Sequence, residues 1–360
     1  MSNHNRQQRN LLSFQKKDDD VPLPGYTAPT SGVLSLLPES LIPYGELARI
    51  HRPNGFLLIY FPHLFGTLYA SCASSSNGAL FSSSHPIALH NLVWTNLVLF
   101  AGSIFSRAAI CAWNDVVDRE YDRQVLRCRL RPIARGALSP TQGLVFTALL
   151  SAVGLWCLAA LPTVTWFIAM PDIVLMTFYP FAKRFLDFPQ VILGLQIAMG
   201  VFMGAASIDQ TLFDWRFHTI AEAPGEPRVW AIAAFYGANI CWTIVYDTVY
   251  AQLDVEDDEK AGIRSLAVLF RYRTKSLLWV VSMAQVGLLL LSGYFQGFGW
   301  KYFLVTGCGT LVSYIYMLLA VDLNNTSHCL WWFQNGHWFI GSSTAAGLLL
   351  QWLGEKIPVI

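Results

Sequence analysis

The chain has 360 residues, 24 Lys+Arg against 23 Asp+Glu, and a formal charge of +1. Charged residues make up 13% and hydrophobic residues 54%, where an ordinary soluble domain is about 25% charged. That excludes a soluble globular protein, and the balanced charge excludes a nucleic-acid binder relying on net basicity.

Residues 1–45 form a polar tail with Asp18, Asp19, Asp20, Pro22, Pro24 and Pro29, and composition predicts disorder there. No apolar core follows its early basic residues, so a signal peptide is not expected. Arg6, Arg9, Lys16 and Lys17 precede the first acid, which leaves a mitochondrial transit peptide open. From residue 46 to 360 the chain reads as one transmembrane domain. No Asp, Glu, Lys or Arg occurs between Arg52 and Arg107, between Arg135 and Asp172, or between Lys301 and Asp322. Apolar windows of membrane-spanning length predict nine helices, near 53–75, 90–113, 141–161, 164–182, 189–208, 229–249, 276–296, 301–321 and 336–354. Pro171 and Asp172 predict a break in the fourth. The expected fold class is therefore an all-α, nine-helix membrane protein.

Nine spans put the tail on the same side as the loops after helices 2, 4, 6 and 8. That side carries 20 Lys and Arg, counting Arg107 to Arg135 as loop; the other carries Arg216, Arg228, Lys301 and Lys356. The positive-inside rule places the richer side in the cytosol. The seven cysteines show no CxxC and no zinc spacing, so neither a disulfide framework nor a zinc site is expected.

Charge gathers in two loops on that cytosolic side. Residues 114–135 contain ten charges and residues 247–275 contain eleven. Continuing helix 2 would put Asn114, Asp118 and Asp122 on one face, with Asp115 beside them. Asp247, Asp254 and Asp258 make a second stripe, flanked by Asp257. Stacked carboxylates repel unless cations lie between them. One or two carboxylates per ion, completed by phosphate and water, describe a Mg²⁺–diphosphate site. Arg127, Arg131, Lys183, Arg184 and Arg264 are candidates for holding diphosphate oxygens. The competing readings are solvated acidic loops and ordinary positive-inside residues.

The stretch Asn114-Asp115-Val116-Val117-Asp118-Arg119-Glu120-Tyr121-Asp122 resembles the NDxxDxxxD motif of the UbiA superfamily of intramembrane prenyltransferases. The stretch from Asp247 to Asp258 is similar to that family's second motif, YDTxYAxxDxxDD. Arg131-Pro132 ahead of Gly136, Tyr179-Pro180-Phe181-Ala182-Lys183-Arg184, Pro189-Gln190 before Leu193-Gly194, and Gly262-Ile263-Arg264-Ser265 also match, in the right order. Arg264, Leu266 and Leu253 stand where the family often has Lys, Thr and Gln. The stretches 130–139 and 256–265 look more like the fungal branch that prenylates aromatic polyketides to meroterpenoids.

The resemblance implies a nine-helix bundle around a central cavity in which Mg²⁺ bridges a prenyl diphosphate to the acidic loops. Asn114, Asp118 and Asp122 would hold one ion and Asp254 and Asp258 the other, with Asp115 and Asp257 adjacent. Asp118, Asp254 and Asp247 are the catalytic candidates, Asp247 for orienting or deprotonating a phenolic acceptor. Arg52 and Asn54 are candidates for an acceptor carboxylate, and Tyr179, Tyr246 and Tyr250 for lining the substrate site. The expected activity transfers a prenyl group, by preference farnesyl, to a ring carbon of an orsellinic-type phenolic acid. The expected membrane is the endoplasmic reticulum, with the site facing the cytosol. A mitochondrial 4-hydroxybenzoate polyprenyltransferase is the alternative within the fold, and an ion-coupled secondary transporter the alternative outside it. The only partners expected are the two substrates and the lipid bilayer, with neither nucleic acid nor an obligate protein partner.

Overall fold

The computed structural model describes residues 25–73, 87–209 and 227–356, which form helices and turns with no strand among them. A short helix α1 (Ile42–Leu47) precedes α2 (Asn54–Ala73), α3 (Leu89–Val117), α4 (Pro140–Ala159), α5 (Thr163–Ala182), α6 (Pro189–Ile208) and α7 (Pro227–Ala251). Then come α8 (Val255–Ala261), α9 (Thr274–Gln296), α10 (Trp300–Ala320, with a π turn at Phe303–Cys308) and α11 (Thr326–Lys356). Eight of these helices are long and apolar enough to cross a membrane, and the protein is an integral, multi-pass membrane protein. The ninth expected span, 336–354, lies inside α11. That helix starts about a turn and a half beyond Ala320, carries Asn335 and His337, and falls short of spanning apolarity. It still packs against α2, α7 and α10 as a member of the bundle.

Local signals explain several boundaries. Ser139 and Gln142 form a reciprocal capping box in front of Pro140, with the Gln142 amide 3.2 Å from Ser139 Oγ. The α9 helix stops at Gly297, whose φ of 73° suits a residue without a Cβ. Pro171 does not interrupt α5 as expected; the helix runs through it to Ala182, and the neighbouring Asp172 is tied to α6 instead of to a helix break.

The two helix surfaces that bury most are on α2 and α6. A Cβ on Gly204 would lie 2.1 Å from the His63 carbonyl oxygen, and one on Gly66 would lie 2.1 Å from that of Val201. Small residues here let the two backbones touch, the usual way helices associate without a hydrophobic drive between them. Phe61, Phe65, Tyr69, Phe235 and Trp242 fill the layer between α2 and α7. By contrast α4 buries only Gly143 and turns Leu149 and Trp156 outward, as a lipid-facing helix does.

Part of the expected tail falls within the described residues, and it is docked. Tyr26 donates a 2.8 Å hydrogen bond to Glu46, and its ring lies 3.8 Å under the Arg135 guanidinium. Residues 1–24 lie outside the described residues.

Candidate active site

Two loops at one end of the bundle carry the acidic stripes, and each is built by a helix that stops and restarts. The α3 helix ends at Asp118 (φ −88°, ψ 6°), and a single turn, Arg119–Asp122, follows. The hydrogen bonds Asp118 N to Asn114 O and Asp122 N to Asp118 O, both 2.8 Å, survive the bend. Asn114, Asp118 and Asp122 therefore keep the stacking that the spacing predicts. In the second loop α7 carries Asp247 near its end, and Asp254 precedes α8. The Asp258 amide is 2.8 Å from the Asp254 carbonyl, which stacks that pair as well. Gly262, at φ 72°, ends α8 and turns the chain back across the site. The side-chain oxygen of Gln190 accepts from the Leu266 amide at 3.1 Å and pins the returning strand of this loop.

The stripes face each other across one cleft. Asp118, Asp122, Asp247, Asp254 and Asp258 line it, together with Arg127, Arg131, Tyr179, Lys183, Arg184, Tyr250 and Arg264. A contiguous arm of the cleft adds Asn114, Asp115, Arg49, Arg107, Gln196 and Tyr246. Beyond that arm an apolar chamber opens between α3, α4, α5 and α6. Cleft arm and chamber share Ile59, Ile110, Gln196 and Ile197.

Three of the five acids that line the cleft hold a cation. Asp118 lies 3.6 Å from the Lys183 ammonium, and both Asp122 oxygens accept from Arg131 at 2.9 Å. Asp254 takes both forks of Arg127, one at 2.8 Å, and Arg127 also donates to the Tyr250 hydroxyl at 2.8 Å. Burial pushes Asp258 up to about 7, with the neighbouring Asp254 charge adding to it. Burial likewise raises Asp122 to about 6 although Arg131 opposes it. Burial alone would lower the Lys183 ammonium, but the neighbouring Tyr179 and Asp118 reverse that and hold it above its ordinary range.

Three sequence-predicted residues do not line the cleft. Asp257 accepts from the Leu126 amide at 3.1 Å and ties the two acidic loops together. Asn54 donates to the Gln334 carbonyl at 3.0 Å, and Arg52 is exposed and off the cleft lining, though close enough to feel the charges of Tyr250, Arg127 and Arg131. Asp115 is in the cleft wall but only 1% exposed, held by Arg49 at 2.7 and 2.9 Å and by Arg131 at 3.3 Å. Arg184 and Arg264 sit at the rim, donating to the Val117 and Phe185 carbonyls. Tyr246 and Tyr250 pack on Phe333 of α11.

Arg107 was counted with the loop by its charge, yet it lies within α3, seven residues before Asn114. No carboxylate lies within ion-pair distance of it among the described residues; its guanidinium donates to Cys111 Sγ at 2.7 Å. A Cβ on Gly55 would lie 2.6 Å from Arg107 Nε, so glycine there makes the room. Its signal in the sequence was a lone cation in register with the first stripe. Gln190 stood within the Pro189-Gln190 match and Asp172 beside Pro171, whereas Gln196 carried no comparable signal.

The donor set suits a hard cation. All the stacked side chains offer oxygen, and the Asn114 side-chain oxygen is buried with no hydrogen-bond partner among the described residues. No three acids among those residues converge tightly enough to hold an ion alone, so further oxygens must come from the substrate or water.

The chain matches the model of the UbiA prenyltransferase family over residues 64–342. It is 36% identical over 302 residues to the prenyltransferase ascA of Acremonium egyptiacum, covering 83% of this chain and 82% of that one. It is 34% identical to the DMOA farnesyltransferase nvfB of Aspergillus novofumigatus, covering 79% and 83%. To the mitochondrial 4-hydroxybenzoate polyprenyltransferase of Arabidopsis thaliana it is 32% identical, covering 93% and 75%. Its fold is similar to that of a UbiA homologue from Archaeoglobus fulgidus bound to GPP and Mg²⁺, with a TM-score of 0.55 and 18% identity over 85% of this chain and 99% of that one. The chain thus belongs to the UbiA prenyltransferase family and is a membrane-embedded transferase of that class.

Proposed function

We propose that the protein transfers a farnesyl group from its diphosphate to a ring carbon of an orsellinic-type phenolic acid, in meroterpenoid biosynthesis, with Mg²⁺ as cofactor. The observation that carries this reading is the juxtaposition of a charge-lined cleft with an apolar chamber through a shared wall. The chamber runs along α3 from Ile110 to Val98, about 18 Å at 1.5 Å per residue. That depth suits a chain of a few isoprene units. The similarity to a farnesyltransferase of the fungal branch points the same way.

Asn114, Asp118 and Asp122 on one wall and Asp254 and Asp258 on the other would hold the metal. When bound, Mg²⁺ neutralises the diphosphate and helps it leave. Arg127, Arg131 and Lys183 exchange their carboxylate partners for phosphate oxygens, the arginines by bidentate forks. Tyr179, Tyr246 and Tyr250 line the path to the reacting carbon, where their rings favour positive charge. Asp247 faces Lys183 and Arg107 within the cleft and is placed to orient the acceptor hydroxyl and take its proton. Arg107, half-buried in the wall and in no ion pair with a described carboxylate, would meet the acceptor's own carboxylate, a role for which Arg52 at the edge of the cleft is the other candidate. The apolar chamber keeps water from the developing allylic cation. The charge asymmetry survives moving Arg107 out of the loop, at nineteen to four. It supports a cytosol-facing site.

The mitochondrial 4-hydroxybenzoate reading is favoured by one observation, the relative from Arabidopsis that spans most of this chain. Microsomes carrying the protein, with and without EDTA, separate the two. Geranyl, farnesyl and longer diphosphates would each be offered with orsellinic acid and with 4-hydroxybenzoate. EDTA-sensitive C-farnesylation of orsellinic acid is the expected result. Preference for 4-hydroxybenzoate with long donors transfers the protein to the second reading, and no product with any pair removes the aromatic acceptor altogether.

A further inference from the structure

One part-buried polar pair plays no part in the reaction as described. Asp172 lies in the middle of α5, and Gln196 Nε2 donates to its Oδ1 at 2.9 Å, joining α5 to α6. An ionisable side chain inside a membrane span is costly and is kept where it serves a site or a partner. Gln196 is only 5% exposed. Its side-chain oxygen accepts no hydrogen bond from any described residue, yet it is not sealed from the cavities. Gln196 forms part of the wall of both the cleft arm and the chamber, so that oxygen faces their junction.

A carbonyl oxygen that opens onto a cavity and has no protein donor is free to accept from a ligand there. Of the two substrates, the prenyl chain carries no hydrogen-bond donor and the phenolic acceptor does. The cleft arm that Gln196 borders also contains Asp247, Arg107 and Tyr246. Asp247 accounts for one ring hydroxyl and Arg107 for the carboxylate, which leaves a second hydroxyl to be matched. Asp172 fixes which end of the amide meets it. With Nε2 held by the carboxylate, Gln196 presents its oxygen, whereas a free amide would offer either end.

We infer that Gln196, positioned by Asp172, accepts a hydrogen bond from the second ring hydroxyl of a dihydroxylated aromatic acid. The pair thereby sets the preference for resorcylic acceptors over monohydroxylated ones. This rests on the aromatic-acceptor reading above. Gln196 is the specificity-determining residue and Asp172 its positioning residue. A site built to bind a hydroxyl discriminates strongly against an analogue that lacks it, because the buried oxygen is then left unpaired.

The test compares kcat/KM, with farnesyl diphosphate as donor, for orsellinic acid and for each of its two analogues lacking one ring hydroxyl. Wild type is expected to prefer orsellinic acid by roughly tenfold or more over the analogue without the Gln196-facing hydroxyl. In Gln196→Leu, and in Gln196→Met as a closer match in shape, that preference falls to near unity. It does so because orsellinic acid turnover drops while turnover of the analogue holds, and the analogue reports that the variants fold. Asp172→Asn loses part of the preference, because the amide is no longer held one way round. An unchanged ratio in both Gln196 variants overturns the inference. So does an equal fall with both acceptors, which would mean that the pair only joins two helices or holds water. If wild type prenylates no aromatic acid, the underlying reading fails, and that outcome is read from wild type alone.

Discussion

The cleft and the chamber share a wall but solve opposite problems. The cleft concentrates acids and then matches them one by one, Asp118 with Lys183, Asp122 with Arg131 and Asp254 with Arg127. The chamber is lined by Leu99, Leu155, Leu158, Met176 and Met203 and admits a single acid, Asp172, already bonded to Gln196. On the proposed reading the difference separates the two halves of a prenyl diphosphate: charge recognition would sit where the helices break, and chain recognition where they run unbroken.

That separation can be tested by breaking one side at a time. The largest effect is expected from Asp118→Asn or Asp254→Asn, each lowering kcat by more than about 100-fold in a prenyl-transfer assay, as EDTA does in wild type. Substrate chain preference among residual products should not move. Next comes Arg127→Ala, which removes a bidentate fork. It should raise KM for the diphosphate by roughly tenfold and leave the preferred chain length alone. On the other side, Leu99→Trp or Met203→Trp should shift the preferred donor from farnesyl to geranyl by about tenfold in kcat/KM, with unchanged Mg²⁺ requirement. A change in Mg²⁺ requirement there would refute the separation.

A smaller effect is expected from pH. Asp258 near 7 and Asp122 near 6 are raised, so protons compete with the metal for them. The Mg²⁺ concentration for half-maximal rate should be flat above pH 8. It should rise about tenfold on going down to pH 6, as the carboxylates take up protons. The smallest functional change belongs to Gly204→Ala. The added Cβ would meet the His63 carbonyl oxygen at 2.1 Å, so α2 and α6 must part. Thermal unfolding should then come earlier, by about 1–3 kcal/mol of lost stability.

The sequence was most informative where spacing and chemistry coincide. Oxygen-bearing residues four apart, at Asn114, Asp118 and Asp122, stay stacked even though the helix bends at Asp118, because the i to i+4 hydrogen bonds continue through the bend. It was less informative where a residue type has two uses. Arg107 looked like a loop cation because positive residues cluster on that side anyway, and only its place within α3 makes it part of the cleft. Asn54 is occupied by a backbone carbonyl, and Arg52 stands at the edge of the cleft among the charges of Tyr250, Arg127 and Arg131, a placement that sequence alone does not show. Pro171 looked like a break, and the continuity of α5 shows that the helix absorbs it. Gln196 could not be singled out at all, since one glutamine in an apolar helix acquires meaning only from the cavities on either side.

The paired state of the cleft bears on how a catalytic cycle ends. On the proposed reading, every cation that would grip the leaving pyrophosphate has a carboxylate close by, ready to take it back. Arg131 returns to Asp122 and Arg127 to Asp254 over distances no longer than a hydrogen bond. Retention of the by-product is therefore opposed from within. An enzyme with the same ligands and no such competitors would hold pyrophosphate tightly and turn over at the pace of its escape.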